Sequence, residues 1–577
     1  MSNRPTYLLA AIFLFVLSGT AFLSMSQDSL TFDELAHIPA GYSYLTQKDY
    51  RLNPEHPPLI KDLSALPLLF LNLNFPEEHP TWKQEETAAA WWVQFDLGTE
   101  FLYNSGNSPR TIIFWSRLPM IFLLFFLGWF LFRWAREIGG NYFGLGVLAL
   151  FAFSPNFIAH GRLVTNDVGA TLGVVLATYF WLKFLKKPEK LNIFWAGIFL
   201  GIALIIKFSL ILLIPFFALI TLIYPLFFEK KNLGKYILKA LAAGIIGFVF
   251  VIWPIYQFHI WNYPVEHQVR DTIADLAPNQ IAPLKNLTIW MADKPLLRAP
   301  AQFFRGVLMA SQRTIFGNNV YFLGEISASG WWYYFPIIYL LKVPLALHLL
   351  LLLALIMVIY FAIKGRIRSN FTILSFILFL VIYWSTAMLG NLNIGIRHLL
   401  PSFPFIYFLV MFGLKAGLSN ISVLFLKRML VTAIILLFGW YIFSSLSSFP
   451  YYIPYYNEIA GGRQNGYKYA VDSNYDWGQD FYRLLSFVES NNVEKIYLDY
   501  FGGENPQYWL GQKYIKLEPK ETEKPPEGWV AVSVNQLQGG KARPTPGFDQ
   551  STGYYNWLDR YTPVARIGDS IFVYYIE

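Results

Sequence analysis

Long apolar runs constrain this chain more than any other feature of its sequence. A membrane-crossing helix needs about 20 mostly apolar residues. Runs of suitable length lie near residues 7–26, 111–132, 142–158, 168–186, 191–207, 208–228, 236–256, 333–362, 371–389, 397–415 and 428–447. Only 14% of the 577 residues are charged, against roughly 25% in a soluble protein. The runs therefore predict a polytopic α-helical membrane protein with about 11 transmembrane helices.

Basic residues predict the orientation of these helices. If the amino terminus is cytoplasmic, the inner loops contain almost no acids and carry Arg133, Arg136, Lys183, Lys186, Lys187, Lys190, Lys230, Lys231, Lys235, Lys364, Arg366, Arg368, Lys427 and Arg428. Loops of this kind stay on the cytoplasmic side of a cell membrane. The net charge of +8 is therefore a topology signal, and no nucleic-acid partner is expected.

An odd number of spans places three regions on the periplasmic or extracellular side. They are the loops 27–110 and 257–332 and the tail after about residue 450. The tail has strand-like runs at 495–500 and 529–534 between Pro- and Gly-rich turns, which predicts a small soluble α/β domain. We divide the chain into a transmembrane domain, 1–449, and an external C-terminal domain, 450–577.

Two adjacent carboxylates, Asp33 and Glu34, follow the first span in the segment Thr31-Phe-Asp-Glu-Leu-Ala-His37. One interpretation is structural, because Thr31 and Glu34 have the spacing of a capping box at a helix start. The other is functional, because a carboxylate facing a cavity can act as a general base. His37 is a candidate substrate-binding residue in the same segment.

The segment Asn53-Pro-Glu-His-Pro-Pro58 predicts a rigid extended turn, because each proline fixes its own φ and restricts the residue before it. Glu55 and His56 on this turn are candidate ligands for a divalent metal or for substrate, and a loop buttress is the alternative. His259 and His267 in the second external loop could join them, although their spacing follows no metal motif.

Charges at the mouths of other spans are further candidates. Asp167 lies at the outer mouth of the fourth span, where it is either functional or the N-cap of that helix, with Thr165 and Asn166 as competitors. The cationic positions Arg117, Lys207, Arg397 and His398 map to the same outer half of the membrane. Snorkelling explains any one of them, whereas several at one rim favour a pocket for a phosphate.

These segments resemble the C-type glycosyltransferases (GT-C fold). The resemblance is carried by Asp33-Glu34, by Asn53-Pro-Glu-His-Pro-Pro58, by Arg117-Leu-Pro119, by His160-Gly-Arg-Leu-Val-Thr-Asn-Asp167 and by Lys207. It covers roughly residues 1–450. The chain looks most like the branch of protein O-mannosyltransferases and lipid A aminoarabinose transferases, which depend on a phospholipid carrier.

The resemblance implies juxtamembrane helices in the first loop, near 55–73 and 84–102, and a donor sugar on a polyprenyl monophosphate that is transferred with inversion. Asp33 would be the catalytic base or the carboxylate that orients the acceptor, with Glu34 assisting it. Asp167 would lie near the sugar or a metal. The candidates for binding the donor phosphate or the substrate are Arg117, Arg162, Lys207, Arg397, His398 and His37.

The acceptor and the tail are less constrained. A protein hydroxyl, a glycolipid and a polysaccharide all suit the reaction. The β-trefoil insertion of protein O-mannosyltransferases is not recognisable here. The segment Asp472-Ser-Asn-Tyr-Asp-Trp-Gly-Gln-Asp480 suits a catalytic, an acceptor-binding or a turn-forming role. Two other classes compete with the enzyme: a lipid-linked sugar transporter or flippase, in which charges lie near the midplane, and a non-catalytic sugar-binding membrane protein.

Overall fold

Helices dominate the structure, a computed structural model that describes residues 3–83, 91–367, 370–518 and 525–577. The α-helices are α1 Asn3–Met25, α2 Phe32–Thr46, α3 Leu59–Ala65, α4 Pro80–Lys83, α5 Val93–Thr99, α6 Pro109–Gly139, α7 Asn141–Ala152, α8 Pro155–His160, α9 Asn166–Lys186, α10 Lys190–Leu204, α11 Leu213–Ile223, α12 Leu233–Gly247, α13 Trp253–His259, α14 Val265–Leu276, α15 Ala282–Met291, α16 Arg298–Phe316, α17 Tyr334–Lys342, α18 Leu345–Ile363, α19 Phe371–Leu389, α20 Phe403–Asn420, α21 Leu424–Leu446, α22 Phe481–Ser490, α23 Pro506–Leu510 and α24 Val534–Lys541.

Short 3₁₀ and π segments extend or connect these helices. The 3₁₀ segments are Leu66–Phe70, Phe208–Leu212, Ile396–Ser402, Glu458–Ala460, Arg463–Lys468, Asp472–Asn474, Gly511–Lys513 and Asn556–Arg560. The π segments are Glu100–Asn104, Tyr224–Phe228 and Phe248–Ile252. Several join neighbouring helices into longer rods, so that Leu233–His259 is one continuous candidate span.

Within the described ranges, nine helices are long and apolar enough to cross a membrane. They are Asn3–Met25, Pro109–Gly139, Asn166–Lys186, Phe208–Phe228, Leu233–His259, Leu345–Ile363, Phe371–Leu389, Ile396–Asn420 and Leu424–Leu446. Two shorter apolar helices, Asn141–Ala152 and Lys190–Leu204, occupy the two remaining predicted runs. The polytopic helical architecture is confirmed, whereas the count of 11 stays a prediction.

Local chemistry explains where the predicted runs break. In the run 142–158, the first helix ends at Ala152 and a second helix, α8, begins with Pro155 at its first position. A proline at this position costs no hydrogen bond. The run 333–362 is divided by Pro344. The run 191–207 ends as a helix at Leu204, which leaves Lys207 in extended backbone with φ −151° and ψ 128°.

Contacts at the helix ends bring predicted inner-loop cations to the ends of neighbouring helices. Arg136 near the end of α6 donates from Nη2 to Asn3 Oδ1 over 3.3 Å, so it lies beside the start of α1. Lys186 at the end of α9 donates to Thr372 Oγ1 over 3.2 Å, so it lies beside the start of α19. Arg368, another of those cations, lies outside the described residues.

The first long loop folds into helices that pack on one another. The predicted helix near 55–73 is α3 followed by the 3₁₀ segment Leu66–Phe70, and the described part of the one near 84–102 is α5 followed by a π segment. Residues 84–90 of that prediction lie outside the described chain. The longest helix of the loop, α2, was predicted only as a helix start. It packs against α3 through Gly41, where an added Cβ would lie 2.2 Å from the Lys61 backbone oxygen.

Gly41→Ala is expected to destabilise the protein by about 1–3 kcal/mol, because the methyl group must push α2 and α3 apart. The thermal unfolding midpoint in detergent or nanodiscs measures this effect. Gly19→Ala in α1 is the matched control, since nothing lies within 4 Å of its added Cβ. Equal midpoints for the Gly41 variant and the wild type would show that the two helices separate without cost.

The second long loop forms α14, α15 and α16 and the strands β1 Val320–Phe322 and β2 Glu325–Ser327. Helix α16 lies against Phe208 and a turn of the first loop, because an added Cβ at Gly306 would lie 2.2 Å from the Phe208 ring and 2.8 Å from the Pro54 backbone oxygen. These contacts bring α16 to the turn that carries Glu55 and His56.

The C-terminal region, which the sequence predicted to be a small α/β domain, contains a five-stranded sheet. Its strands are β3 Ile496–Asp499, β4 Tyr514–Lys516, β5 Gly528–Ser533, β7 Ala565–Ile567 and β8 Ile571–Ile576, in the order β4-β3-β5-β8-β7. The pairs β3–β4 and β3–β5 are parallel, and the other pairs are antiparallel. A short strand β6 Arg543–Pro544 pairs with β2, so the tail and the second loop share a small sheet.

Candidate functional site

A cavity of about 730 Å³ lies between the first loop, the start of α9, helix α16, the end of α19 and the segment before α20. Its polar lining includes Asp33, His37, Asn53, Glu55, His56, Gln94, Asn166, Asp167, Lys207, Ser209, Arg313, Arg397 and His398. Its apolar lining includes Ile211, Leu212, Val307, Ile315, Phe335, Leu389 and Ile394. Leu389, at the end of α19, is 84% exposed, so the apolar side reaches the protein surface. The cavity suits an amphiphilic ligand.

Four charged residues form a chain of ion pairs in the wall of this cavity. Arg397 Nη1 lies 2.8 Å from Asp33 Oδ2 and 3.4 Å from Asp167 Oδ2. Lys207 Nζ lies 2.6 Å from Asp167 Oδ1. Asp33 is the more accessible acid, with 23% of its side chain exposed against 2% for Asp167. The order Asp33–Arg397–Asp167–Lys207 therefore alternates in sign along the wall.

Arg397 is held from three sides. Its Nε donates to Ser473 Oγ over 3.1 Å, and its guanidinium carbon lies 4.3 Å from the centre of the Trp477 ring. Its Nη1 serves Asp33 and Asp167. Within the described chain, no hydrogen bond uses Nη2. The geometry therefore fixes the guanidinium and leaves one donor group for a ligand.

Asp167 is not the N-cap of α9. Thr165 occupies the N-cap position, and Asp167 is the second residue of the helix. Its two carboxylate oxygens face different cations, Lys207 and Arg397. Asp167 therefore holds the two cations in place at the cavity, next to a helix amino terminus, where a carboxylate is also stabilised by the helix dipole.

Glu34 lies outside the cavity lining and is completely buried. Its carboxylate accepts from Arg117 Nε over 2.8 Å and from Arg117 Nη2 over 2.6 Å. It also accepts from the Thr31 backbone and hydroxyl and from the Val164 backbone. Burial alone would raise the pKa of Glu34, but the Arg117 guanidinium and these donors lower it, so the carboxylate is ionised.

The structure therefore supports the capping-box interpretation of Thr31 and Glu34, because both bonds of the capping box are present. Neither Glu34 nor Arg117 lines the cavity. Glu34 was predicted to assist the base there, and Arg117 was predicted to bind the donor phosphate there. Arg117 also donates to the backbone oxygens of Asp28 and Ser29. Together these contacts fix the turn before α2, and this turn positions Asp33.

Arg162 likewise lies in the wall instead of the cavity. It is 1% exposed and pairs with Asp28 Oδ2 over 2.6 Å. Asp28 Oδ1 pairs in turn with Arg483 of the C-terminal region over 3.0 Å. Arg162 therefore ties the loop before α9 to the tail, and the prediction that it binds substrate is not supported by its position.

The turn with Glu55 and His56 is held by Lys61, a residue that the sequence analysis missed. Lys61 is fully buried and donates to Tyr44 Oη, to the oxygens of Asn53 and to the His56 backbone oxygen, all at 2.8–2.9 Å. Four acceptors on one ammonium fix the path of the turn. The loop-buttress interpretation therefore applies to the backbone, while the side chains of Glu55 and His56 line the cavity.

These residues do not fit a resident divalent metal. Among the described residues, no group of three or more His, Cys, Asp or Glu side chains is arranged to hold one. Glu55 accepts from Trp91 Nε1 over 3.1 Å and faces Arg313 at 3.8 Å, and His259 lies 3.0 Å from Asp62 instead of joining Glu55. We therefore derive no step through a metal.

The imidazoles of His37 and His56 are neutral. Burial lowers the pKa of His56 well below its usual range, and the nearby His37 and Lys61 lower this pKa further. Burial also lowers the pKa of His37, although the Asp33 carboxylate opposes the shift. His37 Nδ1 lies 2.9 Å from the Val164 backbone oxygen, so this nitrogen donates and Nε2 carries the lone pair. Both rings therefore offer an acceptor without adding charge.

Several polar atoms of cavity-lining residues are buried and have no hydrogen-bond partner within the described ranges of the chain. They are both side-chain atoms of the Asn166 amide, Ser209 Oγ and His398 Nε2. A buried polar group without a hydrogen bond costs about 1–3 kcal/mol. Ligand hydroxyls or water offset that cost. Of these three residues, the sequence analysis singled out only His398 as a binding residue.

Comparisons with known proteins agree with the resemblance drawn from the sequence. Residues 106–255 match the model of the family described as dolichyl-phosphate-mannose-protein mannosyltransferase. This segment includes α6, α7, α8 and α9, and therefore Asp167 and Lys207 of the cavity. The match confirms the resemblance to protein mannosyltransferases over this range. No curated protein sequence matches the chain.

Solved structures that the chain is similar to include two complexes with a lipid phosphate. ArnT from Cupriavidus metallidurans bound to undecaprenyl phosphate is 10% identical, with a TM-score of 0.46, and the match covers 100% of this chain and 98% of that one. The archaeal oligosaccharyltransferase AglB from Archaeoglobus fulgidus, in complex with an inhibitory peptide and a dolichol-phosphate, is 11% identical. Its TM-score is 0.44, and the match covers 96% of this chain and 72% of that one.

Proposed function

We propose that this chain is a membrane glycosyltransferase of the C type, which transfers a sugar from a polyprenyl-phosphate donor to a hydroxyl group of an acceptor. The acceptor is a protein, a glycolipid or a polysaccharide. The observation that carries the proposal is the chain Asp33–Arg397–Asp167–Lys207 in the wall of an amphiphilic cavity. The family match over residues 106–255 supports the same class of donor.

The cations of the chain suit the leaving group. When the glycosidic bond to the lipid phosphate breaks, negative charge develops on the phosphate, and nearby donors lower the barrier by stabilising it. Lys207 Nζ gives one hydrogen bond to Asp167, and an ammonium has three donors. Arg397 keeps Nη2 for a ligand. We assign the donor phosphate to these two groups, with the polyprenyl tail along the apolar lining of α16 and α19.

Asp33 suits the base. The acceptor hydroxyl attacks the anomeric carbon while a carboxylate removes its proton. Asp33 is the accessible acid of the chain, whereas Asp167 is buried between Lys207 and Arg397. Glu55, the other acid that lines the cavity, accepts from Trp91 and faces Arg313. With Asp33 as the base, one direct displacement of the lipid phosphate by the acceptor hydroxyl inverts the anomeric carbon.

We also place the reaction on the non-cytoplasmic side, at the periplasmic or extracellular face. Helix α9 supports this orientation, because it begins at the cavity with Asp167 and ends with Lys183 and Lys186. Basic residues mark the cytoplasmic ends of membrane helices. The C-terminal region 450–577 lies on the cavity side, since Ser473 contacts Arg397.

The test is turnover of defined donors. The protein is reconstituted in nanodiscs with polyprenyl-phosphate monosaccharides that carry neutral hexoses, pentoses or amino sugars, and the release of polyprenyl phosphate is followed. We expect at least one donor to be consumed, with a transferred sugar of inverted anomeric configuration. If no donor is consumed even with membrane extract as a source of acceptors, the proposal is wrong.

A further inference from the structure

The C-terminal segment 472–480 reaches into the wall of the cavity. We infer that this segment completes the catalytic centre, with Ser473 and Trp477 as positioning residues that hold Arg397 in its working orientation. The inference rests on the proposed function for the reaction itself. It assigns a role to a segment that the sequence left open among a catalytic, an acceptor-binding and a turn-forming role.

The Ser473 hydroxyl both accepts and donates a hydrogen bond next to Arg397. Its hydroxyl oxygen accepts from Arg397 Nε over 3.1 Å, and the hydroxyl donates to the Ile394 backbone oxygen over 2.5 Å. Ser473 is completely buried, so water does not replace these bonds. The hydroxyl thereby links the guanidinium to the backbone three residues before it.

A glycine makes this approach possible. Gly395 has φ +156°, and an added Cβ there would lie 2.2 Å from Ser473 Oγ. Any larger residue at 395 would occupy the position of the hydroxyl. The segment before α20 is therefore shaped to receive a side chain from the tail, which is an observation independent of the hydrogen bond itself.

Trp477 packs against one face of the Arg397 guanidinium. Its ring centre lies 4.3 Å from the Arg397 guanidinium carbon, and its side chain is 1% exposed. A cation over an indole face is attracted most strongly where water is excluded. Ser473 thus fixes one edge of Arg397, and Trp477 fixes its plane.

The segment is anchored to both sides of the ion-pair chain, through a side chain on one side and through its backbone on the other. Asn474 Oδ1 accepts from the Ile396 backbone over 3.0 Å, next to Arg397. The Trp477 backbone oxygen accepts from the Phe32 backbone over 3.1 Å, next to Asp33. The segment therefore bridges the residue before the candidate base and the residue before the phosphate-binding arginine.

The consequence is that the tail sets the distance between Asp33 and Arg397. If Ser473 is lost, Nε is free and the guanidinium can turn away from the donor phosphate. The effect should appear in the rate of the chemical step more than in the affinity for the donor, because Lys207 still binds the phosphate in the ground state.

A double-mutant cycle between Ser473→Ala and Arg397→Ala tests the inference. A hydrogen bond to a charged group corresponds to about a ten- to hundredfold effect, so Ser473→Ala is expected to lower kcat by that factor with little change in KM. In the Arg397→Ala background the same substitution is expected to change kcat by less than about twofold, because coupled residues are not additive. Trp477→Phe, which keeps an aromatic face, should retain more activity than Trp477→Leu.

Ser375→Ala is the matched control, since Ser375 is also completely buried and donates to a backbone oxygen, that of Phe371, over 2.8 Å, at the end of α19 that does not line the cavity. If the two losses multiply in the double variant, or if Ser375→Ala lowers kcat as much as Ser473→Ala, the inference is overturned. If the wild type turns over no donor, the proposed function fails, and the same cycle is measured on the affinity for polyprenyl phosphate in nanodiscs. This ligand carries the negative charge that develops on the leaving group, so Ser473→Ala is expected to weaken its binding only when Arg397 is present. A wild type that does not bind polyprenyl phosphate overturns both proposals.

Discussion

Asp33→Asn is expected to lower donor turnover by about 10²–10⁴-fold, the range that general acid–base catalysis contributes. Asparagine has nearly the same shape and can stay beside Arg397, but its amide cannot take the proton of the acceptor hydroxyl. The variant removes one negative charge from the cavity, but Arg397 keeps Asp167 as a partner at 3.4 Å, so we expect the guanidinium to stay in place and the affinity for the donor to change little. The measurement is kcat and KM for release of polyprenyl phosphate.

Asp96→Asn is the control for this variant. Asp96 belongs to the same first loop, is exposed, and does not line the cavity, so its loss changes the charge of the loop without touching the site. We expect wild-type kcat for Asp96→Asn. A rate within a few fold of the wild type for Asp33→Asn would mean that another group takes the proton.

Arg117→Met is expected to destabilise the protein by about 3–5 kcal/mol, because it leaves the buried Glu34 carboxylate without its partner. The side chains of the pair are 1% and 0% exposed, so solvent cannot compensate. The thermal unfolding midpoint and the yield of folded protein measure the effect. Loss of activity in this variant should follow the loss of folded protein.

The double variant Glu34→Gln with Arg117→Met tests whether the pair acts through stability. Removing both charges together is expected to recover part of the lost stability, since replacing a whole buried ion pair is often close to neutral, while the backbone oxygens of Asp28 and Ser29 still lose Arg117 as a donor. A double variant no more stable than Arg117→Met alone would contradict this assignment. A stable double variant without turnover would show that the reaction needs the pair, either directly or through the turn that positions Asp33.

Sequence patterns predict the membrane part well, because the physical signals are local. Apolar runs set the spans, and the basic loops set a consistent orientation. Charges at the mouths of separate spans were predicted to converge at one rim, and Asp33, Asp167, Lys207 and Arg397 do line one cavity. Convergence could be predicted because each charge in a membrane span needs a partner or a ligand.

The partners of these charges could not be predicted, because they are distant in the chain. Arg117 meets Glu34 across 83 residues, and Arg397 meets Ser473 across 76. The capping-box spacing from Thr31 is a local signal for Glu34, but it does not show that Asp33 faces the cavity and that Glu34 is buried behind it. The role of Lys61 was missed for a different reason. Its acceptors lie within 17 residues of it in the chain, but they include backbone oxygens whose direction depends on the folded turn.

The most direct test of the central claim is to map where a polyprenyl-phosphate donor binds. A photoreactive polyprenyl-phosphate sugar is crosslinked to the reconstituted protein, with excess polyprenyl phosphate as competitor, and the adducts are located by mass spectrometry. We expect adducts on the cavity faces of α16 and α19, at Val307, Ile315 and Leu389. We expect excess polyprenyl phosphate to abolish these adducts. Competed adducts confined to other helices, such as α21, would contradict the central claim.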